Sequence, residues 1–147
     1  MSNVTIAIPP DFILGAAASA WQTEGCHGKK TGQDSYLDAW YQQDRQVWHN
    51  GYGPAVATDF INRYREDVAL MKASGLTHYR TSINWSRFLL DYETAEVDED
   101  YARYYDALLD EMRANDIEPM LCLEHYELPA ALLEKYGGRS EEHTSEL

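Results

Sequence analysis

Hydrophobic positions along the chain alternate between short unbroken runs and stripes spaced by three and four residues, a pattern that predicts strands followed by helices. The first run, Phe12-Ile13-Leu14-Gly15-Ala16-Ala17-Ala18, follows Pro9-Pro10 and is rich in small residues, which predicts a buried strand packed tightly inside a barrel. From Glu24 to about Val56 no period is sustained, and the stretch reads as a long excursion loop with a helical turn around Tyr36 to Gln42. A helix is predicted over Asp59 to Ser74. Its stripe is Phe60, Tyr64, Val68 and Met71, with Thr58 or Asp59 available as cap and Gly75 placed to end it. Leu76 to Trp85 reads as a second strand, followed by a polar connection through Asp91 and Glu96. A second helix starts near Asp98, carries Tyr101, Tyr105, Leu108 and Met112 on one face, and ends near Asn115. Ile117 to Leu123 contains the run Met120-Leu121-Cys122-Leu123, which predicts a strand buried on both sides; Pro119 sits at its start, where a missing donor is tolerated. Pro129 opens a short helix through Leu132, Leu133 and Tyr136 that Gly137-Gly138 closes. Three repeats of strand then helix imply an α/β fold with a parallel sheet and right-handed crossovers.

Each strand runs into a polar or aromatic cluster: Ala20-Trp21-Gln22, Asn84-Trp85-Ser86-Arg87 and Glu124-His125-Tyr126-Glu127. Parallel strands deliver their C-terminal ends to one face, where binding and catalytic groups of such folds collect. Three polar deliveries to one face suit a sugar-sized pocket. At 147 residues the chain can bury one ordinary core, but it is short of the ~250 residues of a closed eight-stranded α/β barrel.

Composition narrows the classes. A net charge of -13 with twelve scattered basic residues builds no positive stripe, which excludes nucleic acid as a partner. Cys26 and Cys122 form no CxxC pair and the five His residues show no HxxxH or HExxH spacing, so no metal site or cofactor is expected and free thiols in a reducing compartment fit best. Residues 1–10 lack the profile of a signal peptide and no window approaches a membrane span, so the expected location is cytoplasmic, with no membrane partner. Eleven Tyr and four Trp offer flat faces with polar handles, although most are expected in the core or on helix surfaces.

The segments from Phe12 to Gly25 (ending Ser19-Ala20-Trp21-Gln22-Thr23-Glu24-Gly25), Tyr79-Arg80-Thr81-Ser82-Ile83-Asn84-Trp85-Ser86-Arg87 and Leu123-Glu124-His125-Tyr126-Glu127-Leu128-Pro129 resemble the opening motifs of glycoside hydrolase family 1. Tyr64-Arg65-Glu66-Asp67-Val68, Gly75-Leu76 and Ile117-Glu118-Pro119 resemble further family text in family order, so that the likeness covers nearly the whole chain up to Gly138. The family includes β-glucosidases and 6-phospho-β-glycosidases. The resemblance implies a partial TIM (β/α)8 barrel, about the first three βα units, from an enzyme that hydrolyses β-linked glycosides with retention. Expected partners are a small-molecule β-glycoside or a phosphorylated disaccharide, with 6-phospho-β-glucosides the preferred subtype.

In the family the acid/base lies in an Asn-Glu-Pro motif and the nucleophile in a Glu-Asn-Gly motif, and neither tripeptide occurs here. Retention needs two carboxyl groups about 5 to 5.5 Å apart, one to protonate the leaving oxygen and one to attack the anomeric carbon. No turnover is therefore expected from this chain alone. The resemblance makes Gln22 and His125 contacts to sugar hydroxyls, an amide and an imidazole each able to donate and accept. It gives Arg80 the role of facing the nucleophile and keeping it ionised, so that Arg80 is expected to lack its partner here. Tyr126 stands where the family commonly has Trp, another sugar contact, and Glu127 where it commonly has Asp. Glu124 and Glu127 invite assignment as the catalytic pair, a reading the motif rejects. Trp21, Trp40 and Trp48 are candidates for stacking on sugar rings, with core or loop-anchoring roles equally open. Residues 139–147 bear no family resemblance; they read as a non-family tail resembling a translated sequencing adapter, with a natural polar tail as the other reading. A non-catalytic sugar-binding half-barrel that self-associates is the alternative function.

Overall fold

The computed structural model describes residues 7–137; Gly138 and the tail 139–147 lie outside them. Strand β1 (Gly15–Ala17) is followed by helix α1 (Ala20–Glu24), helix α2 (Tyr36–Gln43), two single 3-10 turns (Arg45–Val47 and His49–Gly51) and helix α3 (Phe60–Ala73). Then come strand β2 (His78–Ser82), helix α4 (Trp85–Phe88), a hairpin of β3 (Leu89–Asp91) and β4 (Glu96–Val97), helix α5 (Glu99–Ala114), strand β5 (Glu118–Cys122) and helix α6 (Ala130–Tyr136). The sheet runs in the order β1-β2-β5 with both pairings parallel, in the register Gly15 to His78 and His78 to Glu118. At Gly15 the strands approach so closely that an added Cβ would stand 2.9 Å from the His78 carbonyl oxygen. Glycine is what lets β1 pair there.

The core is the layer that the two stripes predict. Phe60, Tyr64 and Val68 of α3 meet Tyr105, Leu108 and Met112 of α5 over Tyr79 and Ile117. Phe60 and Tyr79 pack ring to ring at 5.9 Å. Full burial of such side chains contributes roughly 1.5–3 kcal/mol each, so this layer carries the fold. Asp98 caps α5 by accepting from the Asp100 amide at 3.1 Å. Asp59 occupies the N-cap position of α3 in a left-handed conformation (φ 56°), and its carboxylate accepts from the Asn62 side chain at 2.7 Å instead of from a helix amide.

Several expectations are corrected. The first strand is three residues long and exposed, with Phe12, Ile13 and Leu14 also open to solvent. The third strand is not buried on both sides: Met120, Leu121 and Leu123 are exposed. The helices α3 and α5 cover one face of the sheet, β1 and β5 are both edges, and no further strand closes over the other face among the described residues. The second strand stops at Ser82, and Trp85 starts a helical turn. Part of the connection through Asp91 and Glu96 is an antiparallel hairpin, and Ala20 to Glu24 is helical.

Candidate functional site at the strand ends

The C-terminal ends of the three parallel strands are tied together by hydrogen bonds that cross between them. At the end of β1 the Ala18 amide donates to the Arg80 carbonyl at 2.9 Å. Ser82, at the end of β2, accepts from the Ala20 amide at 2.8 Å and donates its hydroxyl to Glu127 Oε1 at 2.7 Å. The same Glu127 oxygen accepts from the Trp21 amide at 3.2 Å. Ser86, beyond β2, donates its amide to the Glu127 carbonyl at 3.1 Å. Ser19, the residue at the N-cap position of α1, makes no side-chain cap bond. The first two amides of α1 are thus capped from β2 and from the loop after β5.

On this frame Gln22 is exposed on α1, one residue past Trp21. His125 is half-buried, with Nδ1 enclosed and unpartnered by protein. Tyr126 is exposed at φ 71°, its amide bonded to Glu124 Oε1 at 2.8 Å and its ring 5.2 Å from that of His125. Burial raises the Tyr36 phenol above its ordinary value, with Tyr126, Glu124 and Glu127 adding to the effect, which puts the start of α2 beside this loop. Arg80 is half-buried and donates to the Ala18 carbonyl at 3.1 Å. Contrary to the expectation of an unpaired side chain, it has a backbone partner, although no carboxylate lies within 4.0 Å of it among the described residues. Of the candidate stacking residues, Trp48 lies 5.9 Å from Trp21, 4.9 Å from Trp40 and 5.6 Å from Tyr41. The three Trp rings therefore pack on one another as an anchor for the excursion loop. The Trp21 indole also donates to Asp38 Oδ1 at 3.0 Å.

Beneath the strand ends runs a buried polar network that the sequence reading did not assign. Glu24 accepts from the Tyr105 hydroxyl at 3.0 Å and lies 3.9 Å from Arg87 Nε. Both side chains are almost wholly buried. Arg87 also donates to the carbonyls of Gly25 and His27 at 2.8 Å each, and to the Tyr101 hydroxyl. Burial pushes the Glu24 carboxyl up to about 7 against the pull of Arg87, Tyr105 and Asn84. Asp38 is paired with the buried Lys29 and accepts from the Ser35 amide and hydroxyl at 2.9 Å each. Burial opposes its charge, but Lys29 and Ser35 outweigh burial and hold the carboxyl below its ordinary value. Glu127 is fully buried, and burial raises its carboxyl despite the bonds from Ser82 and Trp21. Charged residues inside otherwise apolar or motif segments, such as Glu24 and Arg87, were the available signal for this network.

Gln22, on α1 after β1, and His125 and Tyr126, in the loop after β5, present an amide, an imidazole and a phenol beyond the strand ends. Glu24 and Oε1 of Glu127 are committed to internal hydrogen bonds, while Glu127 Oε2 is enclosed without a partner among the described residues. No group of three or more His, Cys, Asp or Glu side chains able to hold a metal occurs among the described residues, and both cysteines are free thiols. A cleft of about 320 Å³ lies elsewhere, between the β3–β4 hairpin and α6, where Lys135 pairs with Glu93; it includes none of Gln22, His125 or Tyr126. No helix of the described residues is long and apolar enough to cross a membrane.

Comparison with known proteins agrees with this architecture. The family model described as Glycosyl hydrolase family 1 matches residues 4–147. The 6-phospho-beta-glucosidase GmuD of Bacillus subtilis is 38% identical over 130 residues, covering 88% of this chain and 28% of that protein. Beta-glucosidase 17 of Arabidopsis thaliana is 38% identical over 133 residues, covering 90% of this chain and 26% of the relative. Among solved structures, the psychrophilic beta-glucosidase BglU from Micrococcus antarcticus superposes with a TM-score of 0.83 at 36% identity, over 95% of this chain and 29% of that one. A GH1 beta-glucosidase from the fungus Humicola insolens in complex with glucose gives 0.82 at 32% identity, with the same coverage of 95% and 29%. The chain thus spans little more than a quarter of the length of these relatives, and its fold is a partial (β/α)8 barrel of about three βα units.

Proposed function

Since the chain belongs to glycosyl hydrolase family 1, we propose that it supplies the sugar-recognising opening segment of a retaining β-glucosidase. In this reading Gln22 and His125 bind ring hydroxyls and Tyr126 closes over the sugar beside them. Arg80 is set to face the nucleophile of the complete barrel. The observation that carries the proposal is the cross-strand tie of Ser82 and Glu127, which joins helix α1, bearing Gln22, to the loop bearing His125. Ring hydroxyls are common to plain and 6-phosphorylated β-glucosides, so this segment serves either substrate. Neither family tripeptide carrying a catalytic glutamate is present, and the 147-residue chain is accordingly proposed to bind without hydrolysing.

A titration of the isotopically labelled chain with glucose and with glucose 6-phosphate, followed by NMR, tests the reading. Shifts centred on Gln22, His125 and Tyr126, with no release of nitrophenol from p-nitrophenyl β-glucoside, are the expected result. Sugar-independent spectra would sink it. The second reading, a self-associating sugar-binding half-barrel, draws on the exposed Phe12, Ile13, Met120 and Leu123 at both sheet edges. Sugar binding confined to a stable oligomer would favour it.

A further inference from the structure

We propose that Glu127 is a positioning residue of the candidate site: its carboxyl oxygen caps α1 across the sheet and thereby fixes the placement of Gln22 relative to His125. The inference deepens the sugar-binding reading and rests on it for the identity of the ligand. Three observations converge. First, α1 is only five residues long and its own N-cap residue Ser19 gives it no side-chain bond, so its start is held from outside. Second, both outside partners meet at one atom: Glu127 Oε1 accepts from the Trp21 amide at 3.2 Å and from the Ser82 hydroxyl at 2.7 Å, while Ser82 accepts from the Ala20 amide at 2.8 Å. Third, Glu127 is fully buried and two residues past His125, and the residue it grips, Trp21, directly precedes Gln22. Trp21 is also held at its indole by Asp38 at 3.0 Å, so backbone and ring are fixed at opposite ends and Gln22 follows a pinned residue. Glu127 itself is beyond reach of substrate. It acts through Trp21 and Ser82.

Because the two donors converge on one acceptor oxygen, the clamp needs an acceptor and not a charge. Glu127→Gln keeps a carbonyl oxygen at that place, whereas Glu127→Met keeps the length and removes the acceptor. Amide hydrogen exchange and NMR on the 147-residue chain separate the two. In Glu127→Met, exchange at Trp21 should rise about ten- to a hundredfold, the loss expected when a buried donor is orphaned, while the Ala20 amide keeps the Ser82 hydroxyl oxygen as its acceptor. The resonances of the Gln22 amide group and the His125 ring should move. Protection at Val68, Leu108 and Met112 should stay as in the wild type. Glu127→Gln should restore all of these, and glucose affinity should fall in the Met variant and return in the Gln variant. Wild-type exchange at Trp21 in Glu127→Met overturns the proposal, as do unmoved Gln22 and His125. Should Glu127→Met lose core protection as well, Ser82→Ala decides: it must raise exchange at Ala20 while the core keeps its protection, and unaltered exchange there refutes the clamp. A wild-type chain that ignores glucose defeats the sugar-binding reading, while the exchange data still judge the clamp.

Discussion

Glu24 gives the sharpest pH prediction. Its carboxyl is fully buried, and burial lifts it from 4.5 to about 7 even though Arg87, Tyr105 and Asn84 all favour the anion. A folded-state value above the unfolded one means that the native state binds the proton more tightly. The stabilisation is therefore fully present below about 4.5, is lost as pH rises through about 7, and is flat beyond. With 1.36 kcal/mol per unit, the loss comes to about 3 kcal/mol. In Glu24→Gln the side chain stays neutral at every pH and keeps an acceptor for the Tyr105 hydroxyl, so that contribution to the slope should vanish. Urea unfolding of both chains at pH 5 and pH 8 measures it. Near-equal stability is expected at pH 5, where wild-type Glu24 is mostly protonated, and a gain of up to about 3 kcal/mol for the variant at pH 8. If the two chains keep the same pH slope, or the variant is weaker at pH 8 than at pH 5 relative to wild type, then the pull of Arg87 at 3.9 Å outweighs burial and the reasoning is wrong.

Lys29→Met should destabilise the chain by about 3–5 kcal/mol near neutral pH, because it leaves the Asp38 carboxylate buried without its cation. Asp38 is held below its ordinary value of 3.8, so its share of stability exists above that value and disappears as pH falls; denaturation at pH 7 and pH 3 should show the penalty shrinking in acid. Leu108→Ala, at the fully buried centre of α5, should cost about 3 kcal/mol by the same assay with little change in denaturant slope. Gly25→Ala should cost at least about 1 kcal/mol, since Gly25 sits at φ 73° and an added Cβ would stand 2.6 Å from the Val56 carbonyl oxygen. Thermal melts of the pair give the comparison.

The long helices were legible because each carries its buried residues on one stripe: Phe60, Tyr64 and Val68 in α3, and Tyr101, Tyr105, Leu108 and Met112 in α5. Helix α1 was not, for a physical reason. Five residues are too few to show a 3.6 period, and its start is capped by Ser82 and Glu127, 62 and 106 positions away from the amides they hold. No local signal encodes a cap of that kind. The β3–β4 hairpin pairs strands of three and two residues, too short for an alternation of two to register. Gln22, His125 and Arg80 were singled out only through family-like motifs, since an exposed amide and a half-buried imidazole carry no distinguishing pattern alone. Glu127 was noted as standing where the family commonly has Asp and was rejected as a catalytic acid, with no structural role assigned to it. Its fully buried position and three bonds to α1, β2 and α4 belong to a role that chemistry-first reading overlooks.

The misjudged burial of the first and third strands has its own consequence. An unbroken apolar run is read as covered on both sides because parallel sheets ordinarily are. Here Tyr79 and Thr81 of the central strand are buried, whereas Phe12 and Ile13 beside β1 are 58% and 60% exposed and Met120 of β5 is 53% exposed. Neither edge strand has a further strand beside it among the described residues, and apolar edges of this sort template pairing with another chain. The described fold should therefore associate through its edges at micromolar concentration, with its helical layer intact. Sedimentation velocity over a dilution series reads the association, and the double variant Met120→Lys with Leu123→Lys should suppress it while circular dichroism stays unchanged, because neither residue belongs to the buried core cluster. Equal association in the variant would mean that the contact forms elsewhere, with the exposed Leu70 on α3 as the next surface to alter.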